Sequence, residues 1–268
     1  MMDMRSTPRL IKTRITANCQ VGPANHLLAF ESPEIASIAR PGQFVMVKCG
    51  AGNDMVLRRP FGIHQTRNSE VFLYFASVGE GTRWLASLKT GDELDVLGPL
   101  GNFFTMRPGT RRLQLLAGGA GISPLVFLAV EALKQGRQVQ IFQGAGSKDQ
   151  LYVDLENFLP KNPRLVIKTA TDDGSAGRKG FVTQYLKEYA DLADQICACG
   201  PPGMYAAMEE YKHLWKGNPC QVSLETRMGC GIGACFGCTI NTKQGLKRVC
   251  RNGPVFELED VVLDSVKT

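Results

Sequence analysis

The stretch Leu113-Gln114-Leu115-Leu116-Ala117-Gly118-Gly119-Ala120-Gly121-Ile122-Ser123-Pro124 runs from an apolar strand through glycines into the start of a helix. Such a junction brings backbone N–H groups and the positive end of a helix dipole to one point, which suits a pyrophosphate. The pattern is Gly-x-Gly-x-x-Pro, short of the full Gly-x-Gly-x-x-Gly, and alone it also describes an ordinary tight strand-to-helix turn. A later stretch, Ile196-Cys197-Ala198-Cys199-Gly200-Pro201-Pro202-Gly203-Met204, again reads strand, then Gly/Pro, then helix. Two such ends on one sheet face each other across its carboxyl edge, where open α/β sheets bind ligands. The candidate dinucleotide residues are therefore Gly118, Gly119, Ala120 and Gly121 on one side, and Cys199, Gly200 and Pro201 on the other. Cys199 is expected to look onto a nicotinamide ring and not into the core. After Gln140–Gln143 the chain reads Gly144-Ala145-Gly146-Ser147-Lys148-Asp149, with no Arg to pair a 2′-phosphate and one Lys, which favours NAD over NADP.

Outward from these two ends, strands alternate with helical patterns from Arg111 to about His213. The strands are Leu113–Ala117, Val139–Phe142, Leu165–Thr169 and Gln195–Cys199, and the helices lie near Pro124–Gln135, Phe181–Tyr189 and Met204–Leu214. That alternation predicts a parallel α/β sheet. Asp172-Asp173 before Gly174 reads as a solvated turn, and Asp154 and Glu156 read the same way. Upstream, from Leu10 to about Leu100, short alternating runs (Phe44–Val47, Val71–Phe75, Leu94–Leu97) are cut by turns at Gly42, Gly52 and Gly91, and predict an antiparallel β-barrel. The expected architecture is α+β and multi-domain: a barrel over residues 1–108, an α/β nucleotide-binding domain over 109–216 and a small C-terminal domain over 217–268.

That last segment has too little aliphatic content to hold itself together, and its cysteines supply the staple. Cys230, Cys235, Cys238 and Cys250 are spaced Cys-x4-Cys-x2-Cys-x11-Cys, and the first three match plant-type 2Fe-2S spacing. Gly231, Gly233 and Gly237 let the chain curl and aim N–H groups at the sulfurs. Structural zinc also uses four thiolates, but zinc ribbons and fingers usually carry Cys-x2-Cys pairs on both sides, and the first gap here is four. The five other cysteines lack such spacing, and Cys19, Cys49, Cys197 and Cys220 are expected to be small buried hydrophobes.

Composition bounds the function from outside. With 268 residues, 44% hydrophobic and 21% charged, the chain is an ordinary globular one, and nine cysteines, an odd number, argue for a metal or redox role over a disulfide framework. The formal charge of +6 is scattered apart from pairs such as Arg58-Arg59 and Arg111-Arg112, so there is no nucleic-acid footprint. No run approaches the roughly 18 apolar residues of a membrane span. Met1–Arg14 is too polar for a signal peptide, so the chain is read as soluble and cytoplasmic. There is no Gly-x-Ser-x-Gly, His-Glu-x-x-His or Walker A sequence, and His26, His64 and His213 are scattered.

In the barrel, Leu57-Arg58-Arg59-Pro60-Phe61-Gly62-Ile63 and Ser77-Val78-Gly79-Glu80-Gly81-Thr82 resemble the pyrophosphate-binding motifs of ferredoxin-reductase-like flavoproteins. The resemblance implies FAD: Arg59 on a phosphate, Pro60, Phe61 and Gly62 along the isoalloxazine, Tyr74, Phe75 and Ala76 beside the adenosine half, Gly81 and Thr82 on the pyrophosphate. With MGCGIGACFGC and VCRNGPVF, the whole chain resembles the electron-transfer subunits of type B dihydroorotate dehydrogenases. That family implies FAD, a 2Fe-2S cluster and NAD, with a partner FMN-containing catalytic subunit in a heterotetramer and no catalytic acid or base of its own. Gly62 departs from the pattern, since it stands where a Ser or Thr follows Arg-Pro-x and removes one hydrogen bond to the flavin edge. The alternatives are an NAD(P)H reductase serving a ferredoxin or sulfite-reducing partner, and a zinc-stapled binding protein without redox chemistry.

Overall fold

A computed structural model describes residues 7–50, 55–152 and 155–266. Gly52 and Asp154, read above as turn residues, lie outside the described residues.

The N-terminal third is a closed six-stranded antiparallel barrel. It is built from β1 (Arg9–Gln20), β2 (Asn25–Glu31), α1 (Pro33–Ala36), β3 (Phe44–Val47), β4 (Arg59–Arg67), β5 (Glu70–Ala76), α2 (Glu80–Ser87) and β6 (Glu93–Leu100), with strand order β1-β2-β5-β4-β3-β6. Side chains alternate across a strand, and in β3 and β5 both faces are covered. Val71, Leu73 and Phe75 fill the barrel, while Phe72 and Tyr74 pack against the following domain. Val45 and Val47 likewise point inward, and Phe44 and Met46 meet the C-terminal segment. The unbroken apolar run Phe44–Val47 exists because this strand has no wet side.

The rest of the chain is organised by a seven-stranded sheet. Its elements are β7 (Arg112–Gly118), α3 (Ile122–Lys134), β8 (Gln138–Ala145), α4 (Leu155–Phe158), β9 (Leu165–Thr171), β10 (Arg178–Lys179), α5 (Leu186–Tyr189), β11 (Gln195–Cys199), α6 (Pro202–Glu210) and β12 (Cys220–Ser223). After them come the hairpin β13 (Thr239–Thr242) and β14 (Gly245–Arg248), α7 (Val249–Asn252) and β15 (Val255–Glu257). The sheet order is β10-β9-β8-β7-β11-β12-β15, parallel except for the antiparallel pair β12 and β15. At β7 both faces are covered: Leu113, Leu115 and Ala117 join one core, and Leu116 the other.

Two expected helices take a different form. Phe181–Tyr189 is a 3₁₀ turn over Val182–Tyr185 followed by the single turn α5, since Gly180 is left-handed with φ +113° and the β-branched Val182 and Thr183 resist α geometry. The helix expected at Met204 begins at Pro202, because proline is favourable in a first turn. It ends at Glu210 and gives way to a 3₁₀ turn at Lys212–Trp215. Glu156 falls within α4 and not in a turn.

The segment from 217 onward shares the large sheet through β12 and β15. Between these strands the chain leaves on an excursion that carries the four cysteines, and Leu224 N–H donates to Pro254 O (2.9 Å) across its neck. The excursion buries Ile240, Val249, Cys238 and Cys250 in one core with Met46, Leu100 and Leu116. Asn102, just past the barrel, bolts the neck in place: its side chain donates to Val255 O (2.7 Å) and Asn252 O (3.1 Å) and accepts from Val255 N–H (2.9 Å).

Candidate functional site

Arg59, Pro60, Phe61, Gly62, Tyr74, Phe75, Ala76 and Thr82 line one cavity of about 720 Å³, whose far wall includes Ala120, Ser123, Cys199, Glu225, Thr226 and Met228. The Arg58-Arg59 pair is divided. Arg58 is bound to Asp95 (2.9 Å) and to its carbonyl (3.1 Å), while Arg59 faces the cavity with one bond to Leu57 O. Gly81 does not line the cavity. It sits behind Arg59, where a Cβ would meet Arg59 Cγ and Cys49 Cβ at 3.4 Å. Thr82 lines the cavity, but its hydroxyl serves the turn: it accepts from Gly79 N–H (2.9 Å) and Val78 N–H (3.0 Å) and donates to Gly79 O (3.0 Å). The hydroxyl expected on a pyrophosphate is thereby engaged in shaping the glycine turn at the start of α2.

A second cavity, about 690 Å³, is lined by Gly118, Gly119, Ala120 and Gly121 from one strand end and by Gly200 and Pro201, without Cys199, from the other. Gly144–Gly146, Gln150 and Asp172 complete its far end, so Asp172 is part of a binding surface as well as a turn. Gly119, with φ +54° and open space where a Cβ would stand, is where a ligand can approach the backbone. Gly121 is required by the protein itself, since a Cβ there would lie 2.1 Å from Cys199 O. The two cavities share Ala120 and Glu225. A larger groove, about 910 Å³, lies between Ala36–Pro41 and the end of α3 and contains none of the motif residues.

Cys199 has a double placement. Only 1% exposed, it packs in the core beside Cys197, and it also forms part of the floor of the flavin-side cavity. Burial holds its thiol well above the usual range, so it is a neutral wall of the cavity and not a thiolate facing the ring. Cys49, Cys197 and Cys220 are buried as expected, whereas Cys19, at the outer end of β1, is exposed.

The four cysteines of the excursion fall as two pairs. Cys238 and Cys250 place their sulfurs 3.2 Å apart, and the Cys235 thiol lies against Cys230. Two thiol pairs on one excursion are a donor set that could hold a 2Fe-2S cluster. Burial opposes ionisation of Cys230, but N–H groups of Cys235, Ile232 and Ala234, helped by the Cys235 thiol, outweigh it and bring the thiol down to about 6. Gly231 and Gly233 take φ of +73° and +85°, and so does Phe236 with +61°. A Cβ on Gly231 would strike Met46 Cγ at 2.5 Å, which shows how closely the loop is pressed to the barrel.

A family model for the iron-sulfur cluster binding domain of dihydroorotate dehydrogenase B matches residues 225–262, and one for an oxidoreductase NAD-binding domain matches residues 115–210. The dihydroorotate dehydrogenase B (NAD(+)) electron transfer subunit of Desulforamulus reducens is 38% identical over 264 residues, 95% of this chain and 98% of that one. This chain belongs to the family of dihydroorotate dehydrogenase B electron-transfer subunits. The family member from Caldanaerobacter subterraneus is 35% identical over 94% of this chain and 98% of its own. A solved NADH-dependent reduced ferredoxin-NADP oxidoreductase superposes with a TM-score of 0.83 at 30% identity, over 95% of this chain and 91% of that chain. A ferredoxin NADP+ reductase from Neisseria gonorrhoeae (TM-score 0.64, 17% identity, 76% and 90% covered) shares the fold.

Sequence reading of this family member missed residues with no local signature. Tyr205 accepts from Gly200 N–H (2.9 Å) and donates to Ser223 O (2.6 Å), tying the second glycine turn to the end of β12. Glu225, exposed to solvent at the point where both cavities meet, is raised above the ordinary carboxylate range by the protein packed around its carboxyl. His64 lies outside the flavin-side cavity, fully buried in the seam between barrel and sheet. Because a carbonyl can only accept, its Nδ1 donates to Ser123 O (3.1 Å), which leaves Nε2 to accept from Tyr152 OH (2.9 Å). Both ring nitrogens are satisfied by the neutral form, and burial depresses its pKa to about 3.

Proposed function

We propose that this chain moves electrons between NAD(H), FAD and a 2Fe-2S cluster, on behalf of an FMN-containing catalytic subunit that oxidises dihydroorotate. The observation that carries the reading is the continuity of the three sites. The nucleotide cavity and the flavin-side cavity share Ala120 and Glu225, and the flavin side reaches Met228, two residues before Cys230. Two unpartnered buried hydroxyls, Ser123 Oγ and Thr226 Oγ1, belong to residues lining the flavin-side cavity, which supports a polar, hydrogen-bonding occupant there. FAD supplies exchange between two-electron and one-electron chemistry when bound.

The protein's part is positional. Arg59 offers a planar cation to a phosphate. Ala120, with no side chain beyond Cβ, lets the two cavities open on each other. Gly119 and the first turn of α3 present N–H groups to the dinucleotide, and the nucleotide cavity holds no Arg or Lys among its described lining residues, only the carboxyls of Asp172 and Glu225. A 2′-phosphate at the Gly144–Gly146 end would meet the Asp172 carboxyl and no cation, which supports NAD. Cys230 and Cys235 would hold one iron, Cys238 and Cys250 the other. No helix among the described residues is long and apolar enough to cross a membrane, and nine free thiols fit a reducing cytoplasm. A heterotetramer of two such chains with two catalytic subunits is the assembly we propose.

Reconstitution tests this. The loaded chain alone should oxidise NADH with artificial dyes and leave dihydroorotate untouched, and adding the FMN-containing subunit from the same cell should create NAD-linked dihydroorotate oxidation. Failure of that subunit to bind or couple rejects the partner. Ferredoxin reduction in its place would favour the second reading, which the 30% identity to the ferredoxin-NADP oxidoreductase supports.

A further inference from the structure

Strand β4 runs along the flavin-side cavity with nothing at Gly62: no atom lies within 4 Å of where a Cβ would stand. In the wall of the same cavity, in the first turn of α3, Ser123 is 4% exposed and its Oγ has no hydrogen-bond partner in the protein. A serine so close to a helix N-terminus ordinarily turns its hydroxyl to the backbone or to water. Here it meets no backbone or side-chain partner, although α3 is well formed around it. Its backbone is not free to drift, because Ser123 O accepts from His64 Nδ1 at 3.1 Å, and His64 is two residues along β4 from Gly62. The strand that lacks a side chain toward the cavity is thus the strand that anchors Ser123.

The position of Ser123 specifies what it can reach. It is three residues past Ala120, where the two cavities open on each other, and it lines the flavin-side cavity but not the nucleotide one. The portion of a flavin at that junction has to be the ring, since electrons pass from nicotinamide to flavin only where the two rings meet. Adenine, ribose and pyrophosphate belong to the Arg59 and Tyr74–Ala76 end of the cavity. We infer that Ser123 Oγ is a direct hydrogen-bond contact to the flavin ring edge, delivered from the α/β domain where Gly62 of the barrel offers no side chain. Its consequence is that ring chemistry is tuned from the domain that also binds the nicotinamide.

The inference rests on the FAD reading, so flavin content of the full-length protein is measured first. Absence of stoichiometric FAD in the unmodified protein overturns that reading and this inference together. With FAD present, Ser123→Ala should make the bound flavin's midpoint potential more negative. A roughly tenfold loss of preference for the reduced form corresponds to about 30 mV for a two-electron couple. Its visible absorption bands should shift as well. Ser123→Thr, which keeps the hydroxyl, should preserve both. The melting temperature of the flavin-free protein separates contact from scaffold. Removing an unpaired buried hydroxyl should leave it unchanged or raise it, while the increment produced by added FAD shrinks. Gly62→Ser in the Ser123→Ala background should bring the potential back toward its original value. Identical potential and spectrum in Ser123→Ala, or a flavin-free protein that melts lower with an unaltered FAD increment, overturns the inference alone.

Discussion

Arg59 and the two glycines Gly119 and Gly121 show how one residue's environment decides what its removal does. Arg59→Ala should lower FAD retention by about ten- to a hundredfold, the loss of charge-assisted contacts worth roughly 1.5–3 kcal/mol. Equilibrium dialysis reads it directly, and undiminished occupancy would displace the phosphate from this arginine. The glycines separate binding from folding. Gly121→Ala drives a Cβ to 2.1 Å from Cys199 O, backbone against backbone, so a drop in stability on the order of 3 kcal/mol is expected. Gly119→Ala meets open space and pays only the left-handed conformation, roughly 1 kcal/mol, yet should weaken NADH binding; melting curves beside NADH titrations distinguish the two. Sequence identified both residues through one motif and could not tell them apart, because a pattern does not say which atoms face the ligand. Thr82 illustrates the same limit, its hydroxyl being consumed by Val78 and Gly79. Glu225 and Tyr205 were invisible for another reason: their roles come from neighbours distant in sequence.

At the level of elements, the seam between β4 and α3 makes the fold sensitive to acid. His64 has its pKa lowered from 6.5 to about 3, chiefly by burial. As pH falls below 6.5 the unfolded chain takes up the proton and the folded one does not. The stability associated with this group is therefore complete above that value and is lost as pH falls toward the folded value, at on the order of 1 kcal/mol per pH unit. His64→Gln retains a donor and an acceptor without the titration, so its stability should depend less steeply on pH between 6.5 and 3 in chemical denaturation. Equal slopes would remove His64 from the seam's acid response. Strands Phe44–Val47 and Gln195–Cys199 were legible to the residue because apolar runs bounded by turns leave few choices. The Phe181–Tyr189 helix was not, since Gly180 and the stacking of Tyr185 on Phe142 (5.0 Å) override an amphipathic pattern with a 3₁₀ turn.

For the whole molecule, the order barrel, sheet, cysteine loop was readable, and the interleaving of the last two was not. Nothing local in Cys220–Ser223 or Val255–Glu257 announces that both strands belong to the large sheet. Around Cys235 the loop leaves Ile232 and Phe236 exposed, at 49% and 62%, an apolar tip suited to a partner that must come close to the cluster. Ile232→Asp should weaken association with the proposed FMN-containing subunit by tenfold or more, about 1.4 kcal/mol, while NADH-to-dye turnover and the cluster's visible spectrum stay as they were. Undisturbed association would move the docking face elsewhere. The closed neck from Leu224 to Pro254 carries a further meaning for how such a protein could arise. Its two legs are the edge strand β15 and its neighbour β12, already joined by backbone hydrogen bonds, so the span between them could be exchanged for a short turn without breaking a strand of the sheet. What would remain keeps the barrel and every strand of the large sheet, with the core face at Met46, Leu100 and Leu116 to be covered anew. The iron–sulfur loop is thus a cassette, an outlet socket fitted at one edge of a finished machine, and different sockets at that edge would wire the same machine to different partners.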